Sequence, residues 1–309
     1  MRFSMHAPVG DITPGQFQNL HAVRSIAAAF EAAGIDAAYV TDHPAPGAKW
    51  LHANGHDALD PFSALSFLAA ASTRLLLVSF LIVLPYRNPF MTAKSAATLQ
   101  VLSDGRFIMG AGGGYQKTEF NALGVDFHQR GALFDEALEV IQLAWRGGAV
   151  SAQGRSFTAT EVEPRPVPTP PPPIWIGGSV DKAVKRAAQW GDGWAPVFAA
   201  PTQHPANRAT FIQSHDELRD KISMVHELRA SLGRTGPFEI AIPAREKPQV
   251  GTPGGADHYL EALAGLSEIG VTWAMIDIPH PSLPAFLDNV QWFGEEVVAR
   301  MKIEGAGAA

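Results

Sequence analysis

The sequence predicts a closed (β/α)8 TIM barrel, a single domain over residues 1–309. Three observations carry that expectation. Segments of strand character alternate with segments of helical periodicity about eight times, which marks parallel strands joined by crossover helices. Eight such units in 309 residues fit a closed barrel better than an open sheet. The cluster Gly110 to Gly114 superficially suggests a dinucleotide fold but lacks the G-x-G-x-x-G spacing, and the acidic residue at about the expected offset, Asp135, falls inside a helix.

Taken in order, Arg2 to His6 reads as the first strand. Gln16 to Ala33 reads as an amphipathic helix with Phe17, Leu20, Val23, Ile26, Ala27 and Phe30 at helical spacing, stopped by Gly34. Ala37 to Thr41 is the second strand and runs into Asp42-His43-Pro44. Residues 45–60 are rich in Gly, His and Asp and read as a long loop, a candidate lid. Pro61 to Ala71 is a short helix. Leu75 to Leu84 is the third strand, closed by Pro85. Pro89 to Leu102 is a helix opened by a proline whose missing N–H is harmless there.

Ser103-Asp104-Gly105 is a turn, because Asp bonds its own backbone and Gly takes positive φ cheaply. Arg106 to Ala111 is the fourth strand. Gln116 to Leu123 and Gly131 to Arg146 are helices. Residues 147–173 form an insertion: a small hairpin over Gly147 to Thr158, then the stiff proline-dense stretch Pro164 to Pro173. Ile174 to Ile176 is the fifth barrel strand, with a helix to Trp190. Gly193 to Ala195, Phe238 to Ile242 and Thr272 to Ile278 complete the barrel. The helices Asp216 to Leu232, Ala256 to Ile269 and Leu283 to Met301 lie between and after them, and the Gly/Ala tail beyond Ile303 frays.

Composition narrows the function. With 24 basic and 30 acidic residues the net charge is −6, which argues against nucleic-acid or anionic-membrane partners. The absence of cysteine excludes a disulfide framework, a thiol nucleophile and a Cys-zinc site, and fits a cytoplasmic protein. The N-terminus has no leader pattern, and the longest apolar run, Leu75 to Leu84, is too short to span a bilayer.

Barrel chemistry sits at the C-terminal ends of the strands. That rule selects Asp42 and His43, Ser79 and Phe80, Gly112 to Tyr115, Gly177 to Ser179, Trp194 and His280. Gly112, Gly113 and Gly114 serve either the close approach of a flat or charged ligand or a sharp strand-to-helix corner. Gly177-Gly178-Ser179 reads as an anion site of bare amides with Ser179 as helix cap, or as an ordinary capped helix. His43 has the chemistry to move a proton near neutral pH, and the alternative is a polar strand end that fixes its loop. Trp50, Trp190, Trp194 and Tyr115 are candidates to border a flat ligand or, as most buried aromatics are, plain core. His52, His56, Asp57 and Asp60 raise a metal site, but they lie in a segment without helical pattern, and no metal is expected. There is no G-x-S-x-G elbow for serine hydrolysis.

The combination Leu84-Pro85-Tyr86-Arg87-Asn88-Pro89, Ala93-Lys94, Thr98-Leu99 and Leu102-Ser103-Asp104-Gly105-Arg106 resembles the bacterial luciferase-like superfamily. Gly110 to Gly114, Glu119-Phe120, Gly124-Val125 with Phe127, Arg130-Gly131, Trp175-Ile176-Gly177-Gly178 and Trp190-Gly191-Asp192-Gly193-Trp194 carry the same resemblance. It implies an oxidoreductase, in the branch that uses the deazaflavin coenzyme F420, with the FMN-dependent monooxygenases and their partner flavin reductases as the neighbouring alternative. A non-catalytic cofactor-binding barrel is the third reading. The resemblance also implies a homodimer, catalytic roles for Asp42 and His43, and a non-prolyl cis peptide at Phe80-Leu81, with Ser79 beside it, backing the ring. It implies a cofactor phosphate at Gly177 and Gly178. Where the sugar-phosphate dehydrogenase branch carries a glutamate after the glycine cluster, this chain has Tyr115, which points to a mostly apolar small-molecule substrate. For the proton donor His43 is the first candidate, Tyr115 and His280 the next.

Overall fold

The computed structural model describes residues 1–11, 16–199 and 210–302. Eight parallel strands close into a barrel: β1 (Arg2–His6), β2 (Ala37–Val40), β3 (Leu76–Val83), β4 (Phe107–Gly112), β7 (Ile174–Gly177), β8 (Gly193–Ala195), β9 (Glu239–Ile242) and β10 (Trp273–Ile276). Around the barrel the neighbours run β1, β10, β9, β8, β7, β4, β3, β2 and back to β1. The two remaining strands, β5 (Val150–Gln153) and β6 (Thr158–Val162), pair antiparallel as the hairpin of the insertion. The proline-dense stretch after it holds cis bonds at Arg165-Pro166 and Thr169-Pro170.

The helices are α1 (Leu20–Ala32), α2 (Ala48–Asn54), α3 (Pro61–Ala71), α4 (Pro89–Leu102), α5 (Lys117–Ala122), α6 (Arg130–Arg146), α7 (Asp181–Trp190), α8 (His215–Ser231), α9 (Asp257–Glu268) and α10 (Leu283–Phe293). Three differ from the sequence expectation. The first helix starts at Leu20 rather than Gln16, because the Asn19 side chain accepts from Ala22 N–H and caps it there. Residues 45–60 are not a structureless loop: α2 lies inside them, its amides at Trp50 and Leu51 both reaching Gly47 O. The closing helix passes into a π-turn over Gly294–Val298. The tail beyond Ile303 lies outside the described residues.

Period-two alternation sorts the strand side chains into two cores. Phe3, Met5, Ala38, Val40, Leu77, Phe107, Met109, Ile174 and Ile176 face the helices. Ala37, Tyr39, Val78, Ile108, Trp175, Ala241, Trp273 and Met275 fill the barrel interior. The same parity carries His6, two residues past Ser4, and Asp277, two past Met275, to the interior side of the mouth at the strands' C-terminal ends.

The turn at Ser103-Asp104-Gly105 forms with positive φ at Asp104 and Gly105. It delivers Arg106 beneath three segments: its guanidinium donates to Ser103 O and Leu75 O at 2.8 Å and to Ala69 O at 3.1 Å. These bonds tie α3 and the entries of β3 and β4 together. Arg106→Met keeps the stem and strips the donors. It should destabilise the fold by about 2 kcal/mol, read as a lower urea midpoint with unchanged slope.

Candidate active site

At the exit of β2, Asp42 and His43 take different jobs. Asp42 is buried, and both carboxylate oxygens are committed: Oδ2 accepts Val83 N–H at 3.0 Å and Oδ1 accepts the Arg87 guanidinium at 2.9 Å. Arg87 also reaches Asp60 at 3.4 Å. Asp42 therefore latches the exit of β3 and the start of α3 to the exit of β2.

His43 meets two partners at one nitrogen. Glu119 Oε2 lies 3.3 Å from Nδ1, and Gln116 Nε2 lies 3.1 Å from it. Gly47 N–H donates to Gln116 Oε1 at 3.4 Å, which fixes the amide with its nitrogen toward His43. A carboxylate accepts from Nδ1–H, whereas an amide N–H needs a bare Nδ1. The two partners thus select opposite tautomers, so Nε2 is an acceptor in one and a donor in the other. The pocket therefore accommodates either neutral tautomer. Around the ring stand Trp50 at 4.6 Å, His56 at 5.0 Å and Tyr115 at 6.0 Å between centroids. The His56 Nε2 contacts Thr41 Oγ1 at 3.1 Å.

Glu119 is the site residue that reading the strand ends overlooks. It sits two residues into α5 and is 1% exposed. Besides His43 it accepts Tyr86 O–H at 3.1 Å and Ala45 N–H at 3.2 Å. Burial, then the Glu119 charge, raise the Tyr86 hydroxyl above its ordinary value and keep it a donor.

The second wall lies on β3, β4 and β7. Phe80-Leu81 is a cis peptide, and the β3–β4 register shifts between Ser79 and Ile82. Ser79 Oγ donates to Gly110 O at 3.0 Å. The glycines here are corrected in their reason. A Cβ on Gly110 would first strike the Ser79 carbonyl oxygen, at 2.0 Å, so that glycine admits the β3 backbone; one on Gly177 would lie 2.0 Å from Leu81 Cδ1 and one on Gly112 3.2 Å from it. Gly177 and Gly112 make room for Leu81 rather than standing bare. Gly114, at φ +72°, is closed in by Val83 and Phe120, while a Cβ on Gly113 would approach nothing nearer than 3.9 Å.

The Gly177-Gly178-Ser179 corner is corrected as well. Ser179 is not the helix cap: its hydroxyl donates to Val197 O and accepts Val197 N–H, both at 3.0 Å. Gly178, at φ +111°, donates to Ala195 O and accepts from the Trp194 indole. The cap of α7 is Val180, with no side-chain bond, so the first amides of α7 keep their donors. Lys221, 2.6 Å from Asp181, draws that carboxylate aside and lowers its proton affinity. Trp194 is fully buried in the helix-facing core and borders no ligand.

Across the mouth, on β1 and β10, His6, Asp277 and His280 offer ligand atoms that lie within 4.8 Å of one another. The sequence gives no spacing signal for this cluster, since His6 is more than 270 residues from Asp277 and His280. His280 Nδ1 contacts Ile278 O at 3.0 Å, and Lys247 donates to Asp277 at 3.2 Å. A cavity of about 10 Å³ beside His6 and Thr41, bounded by Asp57 to Leu59, has room for one water. A larger depression of about 440 Å³ at Arg2, Glu239 and Thr272 opens on the opposite rim, away from this chemistry.

Burial lowers the His6 imidazole to about 4; Asp277 pulls it up, and His280 and His56 push it down. Between about 4 and the ordinary 6.5 the unfolded chain binds more protons than the folded one, so stability rises with pH across that window. The contribution is complete above pH 6.5 and is lost as pH falls through about 4. His6→Gln should flatten that part of the stability profile, measured as urea midpoints from pH 7 to 4.

Comparison with known proteins agrees with this geometry. Residues 1–236 match the family described as luciferase-like monooxygenase. An F420-dependent glucose-6-phosphate dehydrogenase from Beutenbergia cavernae is 34% identical over 315 aligned residues, covering 88% of this chain and 90% of that protein. Among solved structures, an F420-dependent secondary alcohol dehydrogenase in complex with an F420-acetone adduct superposes with a TM-score of 0.74 at 17% identity, covering 96% of this chain and 98% of that one. The EDTA monooxygenase of Chelativorans sp. BNC1 superposes with a TM-score of 0.75 at 14% identity, covering 99% and 94%. These two solved structures share the barrel, and the matched family assigns the class of enzyme: this chain belongs to the luciferase-like monooxygenase family of oxidoreductases.

Proposed function

We propose that this protein is an F420-dependent oxidoreductase that moves hydride between the deazaflavin and a small, mostly apolar organic substrate. The observation that carries the reading is His43 held between Glu119 and Gln116 at the barrel mouth, beside the Leu81 platform. The relative that is 34% identical and named F420-dependent supports the choice of cofactor.

The residues present fit such a group. Phe80 and Leu81, with Ser79 anchoring the strand behind them, give a flat ring an apolar backing. Gly112 and Gly114 shape the adjoining corner, and Gly113 leaves the open approach. Gly177 admits Leu81, while Gly178 and Ser179 turn the chain so that the uncapped amides of α7 are available to a phosphate. When bound, the deazaflavin supplies the hydride chemistry. The chain supplies the proton: His43 Nε2 gives or takes it, Glu119 and Gln116 hold the ring in place, and Asp42 positions the loop that carries it. Trp50 and the exposed Tyr115 border the substrate side and shield it from water. Tyr115 brings no charge to the mouth, which suits an apolar substrate better than a sugar phosphate. Apolar side chains exposed on α3 and α4, Phe67, Met91 and Leu102, support a homodimer.

Titrating the apo-protein with F420 and with FMN tests the reading. Micromolar binding of F420 without FMN binding is expected; the reverse assigns FMN and a partner flavin reductase. His43→Ala should lower turnover by about two to three orders of magnitude while leaving F420 affinity within a few-fold. Gly177→Ala should weaken F420 binding by displacing Leu81, and Leu81→Ala in the same chain should recover part of the loss, both read by fluorescence titration.

A further inference from the structure

The β1–β10 side of the mouth is left short of hydrogen bonds. Tyr39 is 8% exposed and interior-facing, yet its hydroxyl makes no hydrogen bond among the described residues. Its ring lies 5.3 Å from His6 and 5.4 Å from Phe80, so it joins the imidazole wall to the platform. His6 is 19% exposed, and its nearest polar neighbour is Asp277, at 3.8 Å, too far for a hydrogen bond. His280 spends Nδ1 on a backbone carbonyl and keeps Nε2. Its ring is 5.9 Å from His6. The Tyr39 hydroxyl, the His6 ring and His280 Nε2 thus stand close together on one wall with hydrogen-bonding capacity that the described residues do not use and that a ligand can take up.

We propose that Tyr39, His6 and His280 form a subsite for the polar head of a neutral, oxygen-bearing substrate, a ketone or an alcohol. The inference deepens the oxidoreductase reading and rests on it for the word substrate. Burial keeps the Tyr39 hydroxyl protonated, hence a donor to a carbonyl oxygen. Neutral imidazoles donate or accept as the ligand requires. Asp277, paired with the Lys247 ammonium at 3.2 Å, leaves this wall no net charge with which to hold an anionic head group. A metal ion is the poorer occupant, because the Lys247 ammonium already sits on Asp277 and would repel it.

The test uses the cofactor-free full chain, with cyclohexanone as the neutral probe, cyclohexanecarboxylate as the anionic one and Zn²⁺ as the metal. Imidazole nitrogen resonances, read in long-range proton–nitrogen NMR spectra, report occupancy of the wall. Cyclohexanone should shift His6 and His280, and the carboxylate should bind about tenfold more weakly. Tyr39→Phe keeps the ring packing and removes one donor, so it should weaken cyclohexanone binding about tenfold. His6→Gln should also weaken it; should that variant fail to fold, the Tyr39→Phe affinity and the wild-type shifts decide alone. Unchanged affinity in Tyr39→Phe, no shift of His6 and His280 at any ketone concentration, or tighter binding of the carboxylate overturns the proposal. Micromolar Zn²⁺ binding that moves both histidines and is lost in His6→Ala overturns it in favour of a metal centre. F420 affinity is read separately in Tyr39→Phe and should match wild type. Failure of F420 to bind, with the ketone results intact, removes the cofactor assignment and leaves the subsite.

Discussion

The site is organised by the need to satisfy one buried carboxylate. The Glu119 carboxyl group, at 1% exposure, is tolerated only with donors around it. The donors come from two separate pieces of chain: Ala45 N–H and His43 from the segment after β2, and Tyr86 from the turn after β3. Losing any one would leave the buried carboxyl group short of a donor, so the loops above β2, β3 and β4 are held in one arrangement. Asp42 repeats the device one residue before His43, with Val83 N–H and Arg87 as its donors. Two buried acids thus fix the segment that carries the His43 imidazole.

The glycines show why residue type alone misleads about purpose. Three of them at the end of β4 and two at the end of β7 suggest backbone laid bare for a ligand. The contacts give a nearer cause: Gly112 and Gly177 make room for a leucine that enters from β3 at the cis bond, and Gly110 for the Ser79 carbonyl just before it. A ring placed there would meet Leu81 first and the glycine backbone behind it. The glycines remain necessary to the platform, and their effect on a cofactor is transmitted through a side chain that no local pattern assigns to them.

The barrel and most of its elements were legible because their signals are local. Pro61 and Pro89 open their helices where expected, and the Asp104-Gly105 turn forms as written. Period-two alternation, once the strand ends are known, decides which residues look inward. The segment at 45–60 misled because its glycines and histidines mask a two-turn helix whose stability comes from packing and from Gly47 O rather than from propensity. Ser179 misled for a related reason: a hydroxyl at a helix start is a good cap only when no neighbour claims it, and Val197 does. Glu119 was illegible because it lies past the strand ends, inside α5, and meets partners more than 30 residues away, while the grouping of His6 with Asp277 and His280 depends on closure of the barrel. Closure sets β10 beside β1, although nearly the whole chain lies between them.

That closure also gives the mouth its two characters. The strands β3, β4 and β7 contribute Leu81, Phe80 and glycines, a surface with few polar atoms of its own. Across from them β1, β2 and β10 contribute His6, Tyr39 and Asp277, with His43 and His280 just beyond the strand ends. An apolar surface confers little orientation, because dispersion and hydrophobic contact are not directional. A polar wall confers orientation but pays for every bond left unmade. Setting one against the other lets a flat molecule be held by area on one side while a smaller one is aimed by hydrogen bonds on the other. Under the oxidoreductase function proposed above, the reacting atoms would meet in the gap between the two walls, next to His43, whose nitrogen is contested by an acid and an amide at once.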